Sequence, residues 1–239
     1  VQNRLSRRTF LSTTLALPLS ISVFGLKAAN AQADLPIQHG ARSQPMIALT
    51  FDACRSVHQA PGYDAALISV LDTLRVPATL FLGGLWMQAF PDVTRQLANN
   101  PLFELGQHSW DHPDFTRINA TAMADQFTKT QSLMRQLTLR AATLMRFPYG
   151  RFSAMAISVA LANGLTPVQW DVVSGDPSVQ MTAPRLTSKV VSQTRNGSII
   201  IMHMNRHGWH TAQALPEMIK QLRAKGFQFA TVTDMLRTD

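Results

Sequence analysis

Met46-Ile47-Ala48-Leu49-Thr50-Phe51-Asp52 is a short apolar run that ends on a carboxylate, and its recurrence along the chain decides the fold. Comparable runs occupy Ala78–Leu82, Phe103–Gly106, Thr143–Phe147, Leu165–Trp170, Ser198–Met202 and Gln228–Thr231. Their length and content suit buried strands. Helix-period segments lie between them, at Ala65–Leu74, Pro91–Asn99, Ala120–Leu139, Ser153–Asn163, Ala183–Thr194 and Thr211–Lys225. Leu67, Val70, Leu71 and Leu74 repeat at helical spacing, as do Met218, Ile219 and Leu222. Gly164 and Gly226 stand just past two of these helices, where a left-handed cap is expected. About seven strands alternating with helices predict an α/β fold with a parallel sheet, closed as a barrel in one domain.

The polar residues fall at a consistent place in this pattern. Asp52, His108, Arg146, Asp171, Asp176 and His203 each come at or just beyond the end of a predicted strand. In a parallel barrel the strand C-termini converge on one face, where catalytic groups sit. His108 and His112 are four residues apart. That spacing predicts two imidazoles on one side of a helical turn, both within reach of one ion.

Composition narrows the function. The chain has 239 residues, 46% of them hydrophobic and 15% charged, which suits one sizeable globular domain. The formal net charge is +8, but Arg4, Arg7, Arg8 and Lys27 stand in residues 1–33, which hold no Asp or Glu. Of 22 basic residues, those four leave 18 against 14 acidic ones in residues 34–239. So mild and dispersed an excess suits an anionic envelope polymer and gives no case for nucleic acid. Cys54 is the only cysteine, which excludes an internal disulfide and a Cys-rich metal site. It reads as a small, half-buried filler beside the site.

Residues 1–33 read as a twin-arginine signal peptide. Ser6-Arg7-Arg8-Thr9-Phe10-Leu11 precedes a moderately apolar stretch to Leu26, and Ala31-Gln32-Ala33 has the small-x-small pattern of a cleavage site. The apolar stretch is too short and polar for a stable membrane span. The expectation is a periplasmic or envelope protein, exported by the twin-arginine machinery, with one domain over residues 34–239.

The strand-end motifs resemble those of the polysaccharide deacetylases, the NodB-homology fold or carbohydrate esterase family 4. Thr50-Phe51-Asp52-Ala53 matches the first motif except at its last position, usually Asp. His108-Ser109-Trp110-Asp111-His112-Pro113 and Arg146-Phe147-Pro148-Tyr149 are complete second and third motifs. Trp170-Asp171-Val172-Val173-Ser174-Gly175-Asp176-Pro177 is an altered fourth, and Ile201-Met202-His203 stands for the fifth. The resemblance covers roughly residues 46–236 and implies a distorted (β/α)7 barrel that removes N-acetyl groups from a glycan such as peptidoglycan, chitooligosaccharide or exopolysaccharide.

It implies roles as well. Asp52 would be the general base and His203 the acid that protonates the leaving amine. Arg146 would orient Asp52, and Asp176 would set the charge and position of His203. The Tyr149 N–H would help hold the oxyanion, and Trp170 and Ile201 would wall the acetyl pocket. His108 and His112 would hold a divalent metal, with zinc as the expected ion.

Ala53 removes the family's third ligand. Asp52, another carboxylate such as Asp64, or water would then complete the shell. The segment Cys54–Tyr63, with His58, reads as a loop at the mouth of the site. Trp110 and Trp209 read as rim residues, for stacking on sugar or for packing. Two alternatives stay open: a silent carbohydrate-binding relative with a degraded metal site, and a hydrolase of a non-sugar amide.

Overall fold

The computed structural model describes residues 35–55 and 60–237. Strand β1 (Met46–Ala53) lies mid-sheet. Beyond one edge follow β2 (Ala78–Leu82), β3 (Phe103–Gln107), β4 (Leu144–Met145) and β5 (Thr166–Pro167). Beyond the other lie β7 (Ile199–His203) and then β6 (Val172–Val173). Strand β8 (Gln228–Phe229) pairs with the first two residues of β1. All pairings between these strands are parallel, and the curled sheet with its outer helices is a distorted (β/α)7 barrel.

The helices are α1 (Ala65–Thr73), α2 (Gly84–Ala89), α3 (Pro91–Asn99), α4 (Ala120–Thr138), α5 (Ala154–Ala162), α6 (Ala183–Gln193), α7 (Thr211–Ala224) and α8 (Val232–Leu236). Local chemistry starts several of them. Asp64, Asn119 and Ser153 each accept a backbone N–H three residues ahead, at the N-termini of α1, α4 and α5. On α4, Met123, Phe127, Thr130, Gln131 and Met134 are buried, the stripe that 3.6-residue periodicity requires. Gly164 and Gly226 take φ of +71° and +87°, the left-handed caps expected from sequence.

Strand alternation separates core from site. Ile47, Leu49, Phe51 and Ala53 of β1 join the apolar layer that includes Leu71, Met218 and Leu222 of the helices. Thr50 and Asp52 fall on the opposite face of the strand, inside the curl. Fully buried aliphatic side chains of this kind each contribute about 1.5–3 kcal/mol.

Residues 35–45, the polar leader ahead of β1, have a structural role that their composition does not advertise. Ile37 bridges Val168 in parallel, and His39 bridges Ser198 in antiparallel fashion. The N–H of Gly40 donates to Gly197 O at 2.9 Å. The leader thereby ties the β5 edge to the entry of β7.

Several sequence expectations are trimmed. The runs Thr143–Phe147 and Leu165–Trp170 shrink to two-residue strands. Pro148 and Pro167 lack the N–H that a longer ladder needs. Strand β6 and helices α2 and α8 are additions, each too short to show a period.

Candidate active site

The C-terminal ends of β1 and β7 set the first two functional groups side by side. Asp52 and His203 are register partners across this parallel pair. Behind Asp52, Arg146 Nη1 donates to Oδ1 at 2.8 Å. The guanidinium is fully buried. Its other nitrogens donate to Val168 O at 3.3 Å and Gln169 O at 3.1 Å, and its face lies 4.1 Å from the Phe81 ring centre. Burial alone would raise the Asp52 pKa. The charge and hydrogen bond of Arg146, with the charge of His203, outweigh it and hold the carboxyl below its usual range.

His203 is treated the opposite way. Its Nδ1 is 2.9 Å from Asp176 Oδ1, and its backbone N–H donates to Asp176 Oδ2 at 2.7 Å. Ser174 and Thr211 hydroxyls also donate to Asp176, so this buried carboxylate is fully engaged. Burial works against a charged imidazole, but the Asp176 hydrogen bond and charge, aided by Asp52, raise the His203 pKa. With Nδ1 held by Asp176, Nε2 is the nitrogen left for the cavity.

The histidine pair is assembled differently from its expected helical turn. Residues 108–113 form no helix; Ser109 and His112 instead adopt left-handed backbone with φ of 61° and 65°. Such conformations in non-glycine residues cost on the order of 1–3 kcal/mol and persist where surroundings enforce them. Here Gln126 of α4 does so. Its Oε1 accepts from the Trp110 and Asp111 N–H groups at 2.8 and 3.2 Å, and its Nε2 donates to Asp111 Oδ1 at 2.8 Å. From the other side, the N–H groups of Gly84 and Leu85 donate to the carbonyls of Ser109 and Trp110, both at 2.9 Å. A Cβ on Gly84 would come within 2.1 Å of Trp110 Cε3, so only glycine permits this approach. The imidazole centres of His108 and His112 end 4.9 Å apart.

These two rings suit a divalent ion. Nδ1 of His108 lies 2.8 Å from Arg146 O, an oxygen that can only accept, so Nδ1 carries the proton. Its Nε2 keeps a lone pair, 3.6 Å from Asp52 Oδ2. Burial lowers the His108 pKa, and burial is the largest cause that lowers that of His112 to about 3. Both are neutral imidazoles at ordinary pH, the form that binds metal.

Asp52, His108, His112, Tyr149, Trp170, Asp176, Ile201 and His203 line one cavity of about 370 Å³. Its size falls within the usual range for small-ligand sites. Tyr149 takes left-handed backbone with φ of 59°, and its ring packs against His112 with centres 4.4 Å apart. Trp170 and Ile201 contribute apolar surface to the cavity lining.

Other calls move. Asp171 does not reach the cavity: its carboxylate accepts from Arg42, Ser198 and the Ile199 N–H, tying down the leader. Asp64 is the α1 cap, and Trp110 packs over α2 beneath Lys129. Trp209 remains exposed, its indole N–H donating to Pro177 O at 3.2 Å. His58 and the expected signal peptide of residues 1–33 lie outside the described residues. Cys54, Val173, Pro177 and His207 also line the cavity. Strand alternation would have found Cys54, which continues the inward series Thr50, Asp52. Burial and the Asp52 charge push its thiol up to about 12.

The family model for polysaccharide deacetylases matches residues 39–168. The chain is 29% identical over 205 residues to a peptidoglycan-N-acetylglucosamine deacetylase of Bacillus cereus, covering 83% of this chain and 71% of that protein. It is 35% identical over 199 residues to the peptidoglycan-N-acetylglucosamine deacetylase PgdA of Listeria monocytogenes, covering 82% of this chain but only 40% of that longer relative. A solved peptidoglycan N-acetylglucosamine deacetylase superposes with a TM-score of 0.77 at 27% identity, over 85% of this chain and 93% of that one. A mutant of a family 4 carbohydrate-esterase pseudoenzyme, with restored enzymatic activity, gives 0.76 at 25% identity over 84% and 71%.

Proposed function

The chain belongs to the polysaccharide deacetylase family, and from that premise we propose that it hydrolyses the N-acetyl amide of a glycan, releasing acetate and a free amine. The observation that carries this reading is the pairing of Asp52 with His203 across β1 and β7, beside the His108–His112 pair in one cavity. A binding-only protein needs no base and acid held at opposite protonation preferences.

Asp52, kept ionised by Arg146, takes a proton from the attacking water as its oxygen bonds to the acetyl carbon. The carbonyl π electrons move onto oxygen, and the Tyr149 N–H stabilises that negative charge. His203, kept protonated by Asp176, gives its proton to the amide nitrogen as the C–N bond breaks. Without that proton the leaving group would be an amide anion. Trp170 and Ile201 hold the methyl group against apolar wall. His108 and His112 would hold a divalent metal ion, which supplies Lewis-acid polarisation of water and carbonyl when bound.

Substrate class follows by analogy with relatives named for peptidoglycan. We place the mature protein, residues 34–239, in the cell envelope, on the strength of the twin-arginine reading of residues 1–33. Measuring acetate release from peptidoglycan and N-acetylated chitooligosaccharides tests the activity. Glycan binding without acetate release, in protein reconstituted with zinc or cobalt, would favour the silent-binder reading, which the missing carboxylate at Ala53 and the likeness to a pseudoenzyme support.

A further inference from the structure

We propose that Cys54 supplies the third protein ligand, so that the ion is held by one thiolate and two imidazoles, from Cys54, His108 and His112. This rests on the metal-assisted reading above and replaces the carboxylate whose place Ala53 occupies.

The spacing is the first support. One potential ligand atom from each of Cys54, His108 and His112 lies within 4.8 Å of the others, and no other group of three such donors occurs among the described residues. A tetrahedral zinc ion with bonds of roughly 2.0–2.3 Å sets its donors roughly 3.3–3.7 Å apart. Binding would draw the donors together by up to roughly 1–1.5 Å.

His108 points the same way independently. It is 2% exposed, its Nδ1 is engaged by Arg146 O, and its Nε2 has Asp52 Oδ2 no nearer than 3.6 Å. With Nδ1 donating to that carbonyl, the Nε2 lone pair is the one available to an ion.

The backbone explains why the ligand moves one residue along. Ala53 is fully buried in the apolar layer beneath the helices. Cys54, two residues after Asp52, returns to the cavity side. Asn205, only 3% exposed, then fixes it: its side-chain N–H₂ donates to Cys54 O at 2.9 Å and to Sγ at 3.2 Å. Donation to sulfur favours a thiolate and orients it, as outer partners of metal ligands do. Binding forms the sulfur–metal bond and releases the thiol proton to solvent.

The candidate carboxylates nearby are otherwise employed. Asp64 caps α1, Asp111 accepts from Gln126, Asp52 is held by Arg146, and Asp176 by His203. A sulfur donor also biases the choice of ion, favouring zinc or cobalt over magnesium, calcium or manganese.

Cobalt(II) reconstitution of the mature chain tests the assignment spectroscopically. One cobalt per chain should show a near-ultraviolet thiolate-to-cobalt charge-transfer band. Cys54→Ala and Cys54→Ser should lose that band and bind zinc roughly a hundredfold more weakly, while Asn205→Ala should bind roughly tenfold more weakly. As the chain's sole thiol, Cys54 can be read by a thiol reagent, and bound zinc should protect it. Circular dichroism of the metal-free variants controls for folding, and Cys54→Asp should retain metal without the band. Cobalt bound without a thiolate band, or Cys54→Ala binding as tightly as wild type, overturns the assignment while leaving the hydrolase reading intact. A wild type that binds no divalent ion defeats the metal-assisted reading itself and this inference with it.

Discussion

Asp52 and His203 face each other as register partners on adjacent parallel strands, and each is backed by a group of opposite charge. Arg146 holds the carboxyl pKa down, and Asp176 helps hold the imidazole pKa up. Two neighbouring groups whose environments push their pKa values apart support the proposed roles of base and acid.

Asp52→Asn and His203→Ala are each expected to lower turnover by roughly a hundredfold or more, the scale of lost acid–base assistance. Circular dichroism should show both variants folded. Retention of wild-type turnover in both would end the role assignment.

The pH profile should be bell-shaped. Activity needs ionised Asp52, so it falls as pH drops through that lowered pKa. It also needs protonated His203, so it falls as pH rises through that raised pKa. Asp176→Asn removes the charge that raises the His203 pKa, and burial then lowers it. The alkaline limb should therefore move to lower pH, and an unmoved limb would separate Asp176 from the acid. The same linkage acts on stability. The His203–Asp176 contribution is present below the unfolded histidine pKa and fades as pH rises through the folded one.

Chelation should abolish acetate release, and added zinc or cobalt should restore it. His108→Ala should lose both bound metal and hydrolysis. Full activity in protein shown by elemental analysis to be metal-free would refute metal assistance.

The loop that presents the histidines depends on Gln126 and Gly84. Gln126→Ala leaves the Trp110 and Asp111 N–H groups without their side-chain acceptor, at a cost of about 1–3 kcal/mol. Gly84→Ala drives a methyl into Trp110, with overpacking of about 1–3 kcal/mol. Calorimetry should show Tm lowered by several degrees in each, with weaker metal binding. A Tm and metal affinity unchanged in both would show that the loop holds itself.

Export is checked by N-terminal sequencing of protein from the envelope fraction, which should begin near Asp34. Recovery of residues 1–33 intact on soluble cytoplasmic protein would exclude it.

Periodicity and spacing carried much of this site. Apolar runs ending on Asp52, Arg146 and His203 marked strand ends by themselves, because a strand buried on both faces reads as continuous hydrophobic sequence. Those strand ends bring Asp52, His203 and the histidine pair to one cavity. Only tertiary structure decided the rest. His108 and His112 meet through two left-handed residues held by Gln126, not through a helical turn, and four-residue spacing cannot distinguish these. Asp171 looked like a site residue until its partner Arg42, 129 positions away, drew it to the leader. Cys54 looked like filler because a lone cysteine carries no spacing signal. Its place beside two imidazoles depends on where β1 ends and on Asn205, 151 positions away. Local sequence sets which face of a strand a side chain takes; the partner it meets there comes from a distant segment brought near only by folding.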